Sequence, residues 1–117
     1  MLTDGKRFNK EIFAPYFAEW EAKRGTIEAL YGEKDERAVD KMREAIAMYE
    51  GMLALGGVEI DARSGREVYR LSPLNGTERL EFVKAKLASH YAFVQLDALF
   101  GEMKKKVARL ALQDKRK

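Results

Sequence analysis

The only histidine of the chain, His90, is the side chain best suited to exchange protons near neutral pH. Catalysis by histidine needs a nucleophile or a carboxylate within hydrogen-bonding reach, and the spacing of the surrounding residues indicates none. A di-iron site in a helical bundle needs paired Glu-x-x-His motifs, and this histidine has no glutamate three residues before it. We therefore favour a structural role for His90 and predict no catalytic residue and no metal site.

Motifs for cofactors and for covalent catalysis are missing as well. The chain has no cysteine, which excludes a disulfide framework, a thiol nucleophile and a Cys-ligated zinc or iron–sulfur site. Its glycines form neither the phosphate-binding loop of nucleotide hydrolases nor the dinucleotide motif G-x-G-x-x-G. We expect no cofactor and no enzymatic activity.

A group of polar side chains is the first candidate for a binding site. Its members are Asn75, Glu78, Arg79, His90, Tyr91 and Gln95. They would come together if the beginnings of two helices met across a short turn, and Arg79 would then be able to bind a carboxylate or a phosphate. The alternative, which we favour, is that Asn75 and Glu78 cap a helix while Arg79 forms a structural ion pair.

Aromatic residues form a second candidate near the start of the chain, at Phe13, Tyr16, Phe17 and Trp20. Such a cluster is typical either of a binding surface or of a small hydrophobic core. We favour the core, and we leave open that the polar tips of Tyr16 and Trp20 line a groove.

The third candidate is the basic end of the chain. Residues 101–117 contain seven basic and two acidic residues. Their net charge of +5 exceeds the +3 of the whole chain. Lys104, Lys105, Lys106 and Arg109 are able to contact phosphates. Cations near the C-terminus of a helix are also favoured by the helix dipole, so nucleic-acid binding is the alternative rather than the first hypothesis.

Hydrophobic spacing predicts two helices in the first half of the chain. The first covers residues 15–31, with Pro15 in its first turn and Gly32 as its C-cap. A short helix that contains Phe8, Ile12 and Phe13 is expected before it. The second covers residues 36–55 and begins after Asp35, which is suited to be its N-cap.

Residues 57–72 do not continue the helical pattern. Val58 and Ile60 alternate with Glu59, and a turn-like segment separates them from Val68 and Tyr69. This pattern is consistent with a small β-hairpin or with an extended loop, because a lone hairpin is marginally stable unless it packs on other elements.

Two further helices are predicted in the second half. The third begins near Asn75, which forms a capping-box pattern with Glu78, while the hydroxyl of Thr77 is a competing cap. The fourth covers residues 90–112, with Ser89 as its N-cap. The apolar residues of this helix follow a strict alternation of three- and four-residue steps, at Phe93, Leu96, Phe100, Met103, Val107 and Leu110. This seam is too short for a free coiled coil and is expected to form the core of a bundle.

Composition places these elements in one domain. A hydrophobic fraction of 46% and a charged fraction of 35% are typical of a folded helical domain rather than a disordered chain. No secretory signal is visible, and apolar runs such as residues 52–55 are too short to cross a membrane. We predict one all-α domain over residues 1–117, a four-helix bundle-like array in the cytoplasm with no membrane contact.

Several short runs resemble the YpoC-like family, small proteins of Bacillus-type Firmicutes with no assigned activity. The resemblance lies in Ser72-Pro73-Leu74-Asn75, Glu78-Arg79-Leu80, His90-Tyr91, Gln95-Leu96 and Leu99-Phe100, and in the early Pro15-Tyr16-Phe17 with Trp20. It implies a cytoplasmic helical domain and supplies no catalytic residues.

The first functional hypothesis is a non-enzymatic module that binds another protein through an apolar or aromatic groove. The alternative is an accessory protein that binds nucleic acid through the basic C-terminal helix. A third hypothesis, an enzyme built around Arg79 and His90, requires those two side chains to lie together. The sequence leaves the oligomeric state open.

Overall fold

The computed structural model describes residues 8–115, so what the sequence predicts for residues 1–7 and for Arg116 and Lys117 lies outside the described part. Within it, the chain forms four α-helices and one antiparallel β-hairpin. The elements are a 3₁₀ turn Lys10–Ile12, α1 Ala14–Gly32, α2 Arg37–Gly56, β1 Val58–Ile60, β2 Glu67–Tyr69, α3 Gly76–Ala85 and α4 His90–Lys115. The predicted all-α array with a small insertion is confirmed, and the insertion is a hairpin.

The turn between α1 and α2 is organised by Asp35 rather than by Gly32. Its side chain accepts a hydrogen bond from the backbone N–H of Arg37 at 2.9 Å, so it caps the start of α2 as predicted. Gly32 is the last residue of α1 and still belongs to the helix. The left-handed conformation expected of a C-cap glycine is adopted instead by Lys34, with a φ of 57°. The Asp35 N–H reaches back to the Leu30 carbonyl, a bond that satisfies one free carbonyl at the end of α1.

The hairpin follows α2 with Val58 opposite Tyr69 and Ile60 opposite Glu67. Gly65 in its turn has a φ of 71°, a conformation that glycine adopts without strain. All six strand residues are exposed, but Leu71 just after β2 is completely buried and anchors the hairpin on the bundle.

The predicted cap of α3 is wrong. Asn75 lies before α3 in the left-handed conformation, with a φ of 55°, and its side chain makes no capping hydrogen bond. A side-chain cap needs an extended backbone at that position, so the capping box with Glu78 does not form. The predicted cap of α4 is confirmed, because the Ser89 hydroxyl accepts the N–H of Tyr91 at 3.1 Å.

The core lies along α4, which contacts the other three helices. Its predicted seam is buried from Phe93 to Val107, and Leu110 is partly buried against the same core. The Phe100 ring stacks on Trp20 of α1 at 4.5 Å and meets Tyr49 of α2 edge-on at 5.2 Å. One aromatic side chain of α4 therefore holds α1 and α2 together. Among the described residues, no helix has both the length and the apolar character needed to cross a bilayer.

The close approach of Gly56 to Leu71 gives a test of this packing. A Cβ added at Gly56 would lie 2.5 Å from two side-chain atoms of Leu71, which is fully buried and has no room to move. We expect Gly56→Ala to lower the free energy of unfolding by about 1–3 kcal/mol, as measured by urea denaturation.

Gly51→Ala is the matched control, because a Cβ at Gly51 in the middle of α2 meets nothing within 4 Å. That substitution should stabilise the protein by about 0.5–1 kcal/mol, since alanine favours helix over glycine. Equal effects of the two substitutions would contradict the packing described here.

Candidate functional site

A groove of about 580 Å³ runs between α1 and α2, and we call it the α1–α2 groove. Its lining is mostly apolar and comes from both helices: Pro15, Tyr16, Glu19, Trp20, Ala22, Lys23, Thr26 and Ile27 from α1, and Lys41, Glu44, Ala45 and Met48 from α2. The structure thus brings together the two aromatic residues singled out in the sequence, Tyr16 and Trp20, on one wall.

Charged side chains stand at the rim of this groove. Lys23 pairs with Glu19 one turn earlier at 2.6 Å, and hydrogen bonding and charge attraction from Glu19 raise the pKa of Lys23. Glu44 on α2 adds to the same effect from the other side. Lys41 forms no ion pair within residues 8–115. The groove therefore combines an apolar floor with a rim on which, among the described residues, the cation Lys41 and the anion Glu44 form no ion pair.

Trp20 is fixed from behind the groove by a polar contact with α4. Its indole N–H donates to Asp97 at 2.8 Å, and Arg24 donates its Nε–H to the same carboxylate oxygen at 2.8 Å. These bonds, that of Arg24 foremost, lower the pKa of Asp97 although partial burial opposes the shift. The polar tip of Trp20 thus faces α4. The sequence had left open that this tip lines the groove, and in the structure it does not.

Arg79 forms a structural ion pair, the interpretation that the sequence favoured. Its guanidinium donates to both carboxylate oxygens of Glu102 at 2.8 and 2.7 Å, to Gln95 at 2.9 Å and to the Leu74 carbonyl at 3.1 Å. The bond from Arg79 is the main reason that the pKa of Glu102 is lowered. With every nitrogen of Arg79 engaged, this side chain ties α3 to α4.

The six polar side chains between residues 75 and 95 do not converge. His90 lies 3.3 Å from Glu28 of α1 and stacks on Phe93, while Gln95, which binds Arg79, is about 140° further round α4. Helix α3 is ten residues or about 15 Å long. It therefore separates its own beginning from the beginning of α4, which is why the predicted meeting of two helix starts is wrong.

A second groove of about 1160 Å³ lies between the hairpin and α4, and we call it the hairpin groove. It collects most of the remaining predicted residues: Asn75, Glu78, Lys105, Lys106 and Arg109 line it, together with Glu59, Asp61, Arg66 and Glu67 of the hairpin segment, whereas the strongly exposed Tyr91 does not. Lys106 also donates to the Ser72 carbonyl at 3.0 Å. Lys104, the remaining predicted cation, is exposed on α4 and lies outside this lining.

The family model described as YpoC-like protein matches residues 10–115, which include both grooves. The chain belongs to the YpoC-like family. The resemblance seen in the sequence is thus confirmed over nearly the whole described part of this YpoC-like protein. No curated protein and no solved structure matches the chain.

The sequence of this YpoC-like chain did not predict that residues of α2 line the groove. Ala45 and Met48 flank the buried stripe that contains Met42, Ile46 and Tyr49. Their helical spacing places them beside this stripe on the side that faces α1, but that side becomes known only when the partner helix is known. Residues 8–115 contain no cluster of three or more His, Asp or Glu side chains suited to a metal ion.

The contact between Asp97, Arg24 and Trp20 predicts how stability depends on pH in this YpoC-like protein. The pKa of Asp97 is lower in the folded chain than its ordinary value of 3.8, so the carboxylate stabilises the fold above that pH and loses this effect as the pH falls further. We expect Asp97→Asn to cost about 1 kcal/mol at pH 7, where both partners are charged but partly exposed, and much less near pH 3.

Asp40→Asn is the control, because its pair with Arg43 at 3.5 Å is largely exposed on both sides. It should change the free energy of unfolding by less than about 0.5 kcal/mol at either pH. Urea denaturation at both values measures the effects. A cost of Asp97→Asn that is the same at pH 7 and near pH 3 would contradict the assigned contact.

Proposed function

We propose that this YpoC-like protein is a protein-interaction module that binds an amphipathic helix of a partner protein in the α1–α2 groove. The observation that carries the proposal is the apolar floor between two neighbouring helices, formed by Tyr16, Ile27, Ala45 and Met48 around the buried ring of Trp20. Apolar grooves of this kind receive the apolar face of a helix through side chains spaced three and four residues apart.

The dimensions of the groove suit a short helical segment. Its α1 wall extends from Pro15 to Ile27, which corresponds to about 18 Å at the rise of an α-helix. A partner helix of about twelve residues would match this length and would lay three or four apolar side chains on the floor. Large aromatic side chains commonly contribute most of the binding energy at such contacts, and here the half-buried Tyr16 is the one that a partner can reach, since Trp20 is almost fully buried.

Charge at the rim favours one orientation of the partner. Glu19 and Lys23 neutralise one another, whereas Glu44 forms no ion pair and Lys41 has no ion-pair partner among the described residues. A partner helix with an acidic residue at the level of Lys41 would supply that partner. Electrostatic pairing of this type mainly sets orientation and specificity, while the apolar floor supplies affinity.

The groove wall is already ordered before a partner arrives. Trp20 stacks on Phe100 and bonds to Asp97, so its ring does not have to be immobilised on binding. Binding to an ordered surface avoids part of the entropy cost of association.

Site-specific photo-crosslinking in cells that naturally express the protein tests the proposal. A photoreactive phenylalanine analogue at Ala22, an exposed position inside the groove, should give one discrete protein adduct, and mass spectrometry should map it to a helical segment of the partner. The charge reversal Lys41→Glu should reduce the yield of that adduct severalfold, because an acidic partner residue would then be repelled.

Ala47 is the control position, since it is equally an exposed alanine but lies on α2 outside the groove lining. The proposal is wrong if Ala47 gives the same adduct, if Ala22 gives none, or if Lys41→Glu leaves the yield unchanged.

Nucleic-acid binding is a second candidate that one observation supports. Lys104, Lys105 and Arg109 are exposed on the last turns of α4, and none of them forms an ion pair within residues 8–115. Against it, the lining of the hairpin groove, in which Lys105 and Arg109 lie, contains five acidic and four basic side chains and so offers phosphates no net positive charge.

This second candidate makes a separate prediction for binding to a fluorescent oligonucleotide. If α4 contacts the backbone, the double variant Lys105→Gln with Arg109→Gln should reduce the slope of log affinity against log salt by about two. The control pair Lys34→Gln with Lys86→Gln, both exposed and close to the start of α4 rather than to its basic end, should leave the slope unchanged. Fluorescence anisotropy at several salt concentrations measures it, and binding that does not weaken steeply with salt excludes the candidate.

A further inference from the structure

We propose that strand β1, Val58–Ile60, is a second docking surface, which accepts an extended segment of a partner protein as a third strand of the hairpin sheet. This surface is distinct from the α1–α2 groove and recognises a partner by its backbone rather than by a helical face. The proposal rests on the hydrogen-bond pattern of the hairpin and on the side chains of its outer edge.

The backbone groups of β1 that point outward are known from the register. Arg70 donates to the Gly57 carbonyl at 2.9 Å and Asp61 donates to the Arg66 carbonyl at 2.8 Å. In an antiparallel ladder, hydrogen-bonded pairs alternate with pairs whose backbone groups point away from the partner strand. Because residues 57 and 61 belong to hydrogen-bonded pairs, the N–H and C=O groups of Val58 and Ile60 point away from β2.

Among residues 8–115, the edge formed by β1 is the open one. Strand β2 contacts helix α2, and the Tyr69 carbonyl at its end accepts the N–H of Ser72. On β1, Val58 is 51% exposed and Ile60 is 66% exposed. The backbone donors and acceptors of β1 are therefore bordered by exposed apolar side chains.

Proteins protect sheet edges with proline, lysine and other charged side chains, with bulges, or by keeping the edge strand very short. Strand β1 has neither proline nor lysine and pairs regularly with β2, so its protection is limited to its length of three residues and to Glu59. A regular edge with alternating apolar side chains is the arrangement to which extended peptides add as a new strand, and Glu59 favours a strand that presents a cation.

Charge decides between a partner protein and a second copy of this chain. The antiparallel register that uses all of β1 in two copies places Val58 opposite Ile60 and sets Glu59 directly against Glu59. This central pair would be of the closely spaced type, in which like charges repel most strongly. A partner strand with lysine or arginine between two apolar residues instead pairs its cation with Glu59, and this is the occupant that we infer.

A proline substitution separates this role from the stability of the hairpin. In Ile60→Pro the removed N–H is one that points away from β2, and edge strands tolerate proline at such positions. The bonds that join β1 to β2 are retained, while an added strand loses a donor and meets the proline ring. Ile60→Thr is the matched control, because it keeps the N–H and remains β-branched.

The experiment is a selection of random nine-residue peptides displayed on phage against the full chain. We expect the recovered peptides to alternate apolar residues around a lysine or arginine. Their binding should weaken about tenfold with Ile60→Pro, which removes a backbone hydrogen bond and adds a steric clash, and should be retained with Ile60→Thr. Glu59→Lys should also weaken binding, since it places a cation against the cation of the peptide.

Hydrogen exchange of the backbone amides supplies a second readout that does not depend on the fold of the variants. In the free protein the amides of Val58 and Ile60 should exchange rapidly, and a selected peptide should protect them. The proposal is overturned if selected peptides bind Ile60→Pro as tightly as wild type, if those two amides stay unprotected, or if sedimentation shows a dimer that Ile60→Pro dissociates. The helix-binding groove is tested at Ala22 and Lys41, so failure of either surface leaves the other result intact.

Discussion

The contact between Trp20 and Asp97 is the interaction on which the arrangement of the helices depends most. It joins α1 to α4 through an indole N–H and a carboxylate that Arg24 also holds. The Trp20 ring is 2% exposed, so its N–H would be costly to leave without an acceptor. The stacking of the same ring on Phe100 fixes the angle at which α1 lies on α4. Because α2 packs on α1, the shape of the α1–α2 groove follows from this one contact.

Polar contacts at the edges of the core fix the other helices around α4. The ion pair of Arg79 with Glu102 joins α3 to α4, and the Tyr31 hydroxyl donates to the Leu87 carbonyl at 2.7 Å between α1 and the α3–α4 turn. Each contact selects one packing geometry for the helices that it joins, since apolar surfaces alone are compatible with several geometries. The two proposed docking surfaces lie where this network ends, one on the outer side of α1 and α2 and one on the hairpin.

Much of the fold could be predicted from the sequence because it depends on local periodicity. The steps of three and four residues in α4 predicted its buried seam, and the short motifs predicted the family. Asn75 shows the limit of local patterns: its residue type suits a capping box, but the turn after Pro73 places it in the left-handed conformation, where its side chain does not cap. The pairing of Trp20 with Asp97 spans 77 residues, and a separation of that size leaves no signal in the spacing of either residue.

The indole N–H of Trp20 offers the most direct test, since it is the only tryptophan and gives a single resonance in a nitrogen-edited NMR spectrum. If Asp97 accepts this hydrogen bond, the N–H will exchange slowly with solvent at neutral pH. Its chemical shift will also change with pH below the ordinary carboxyl range, as Asp97 becomes protonated. An indole N–H that exchanges rapidly and whose shift is unaffected by acid would contradict the central role given to this contact.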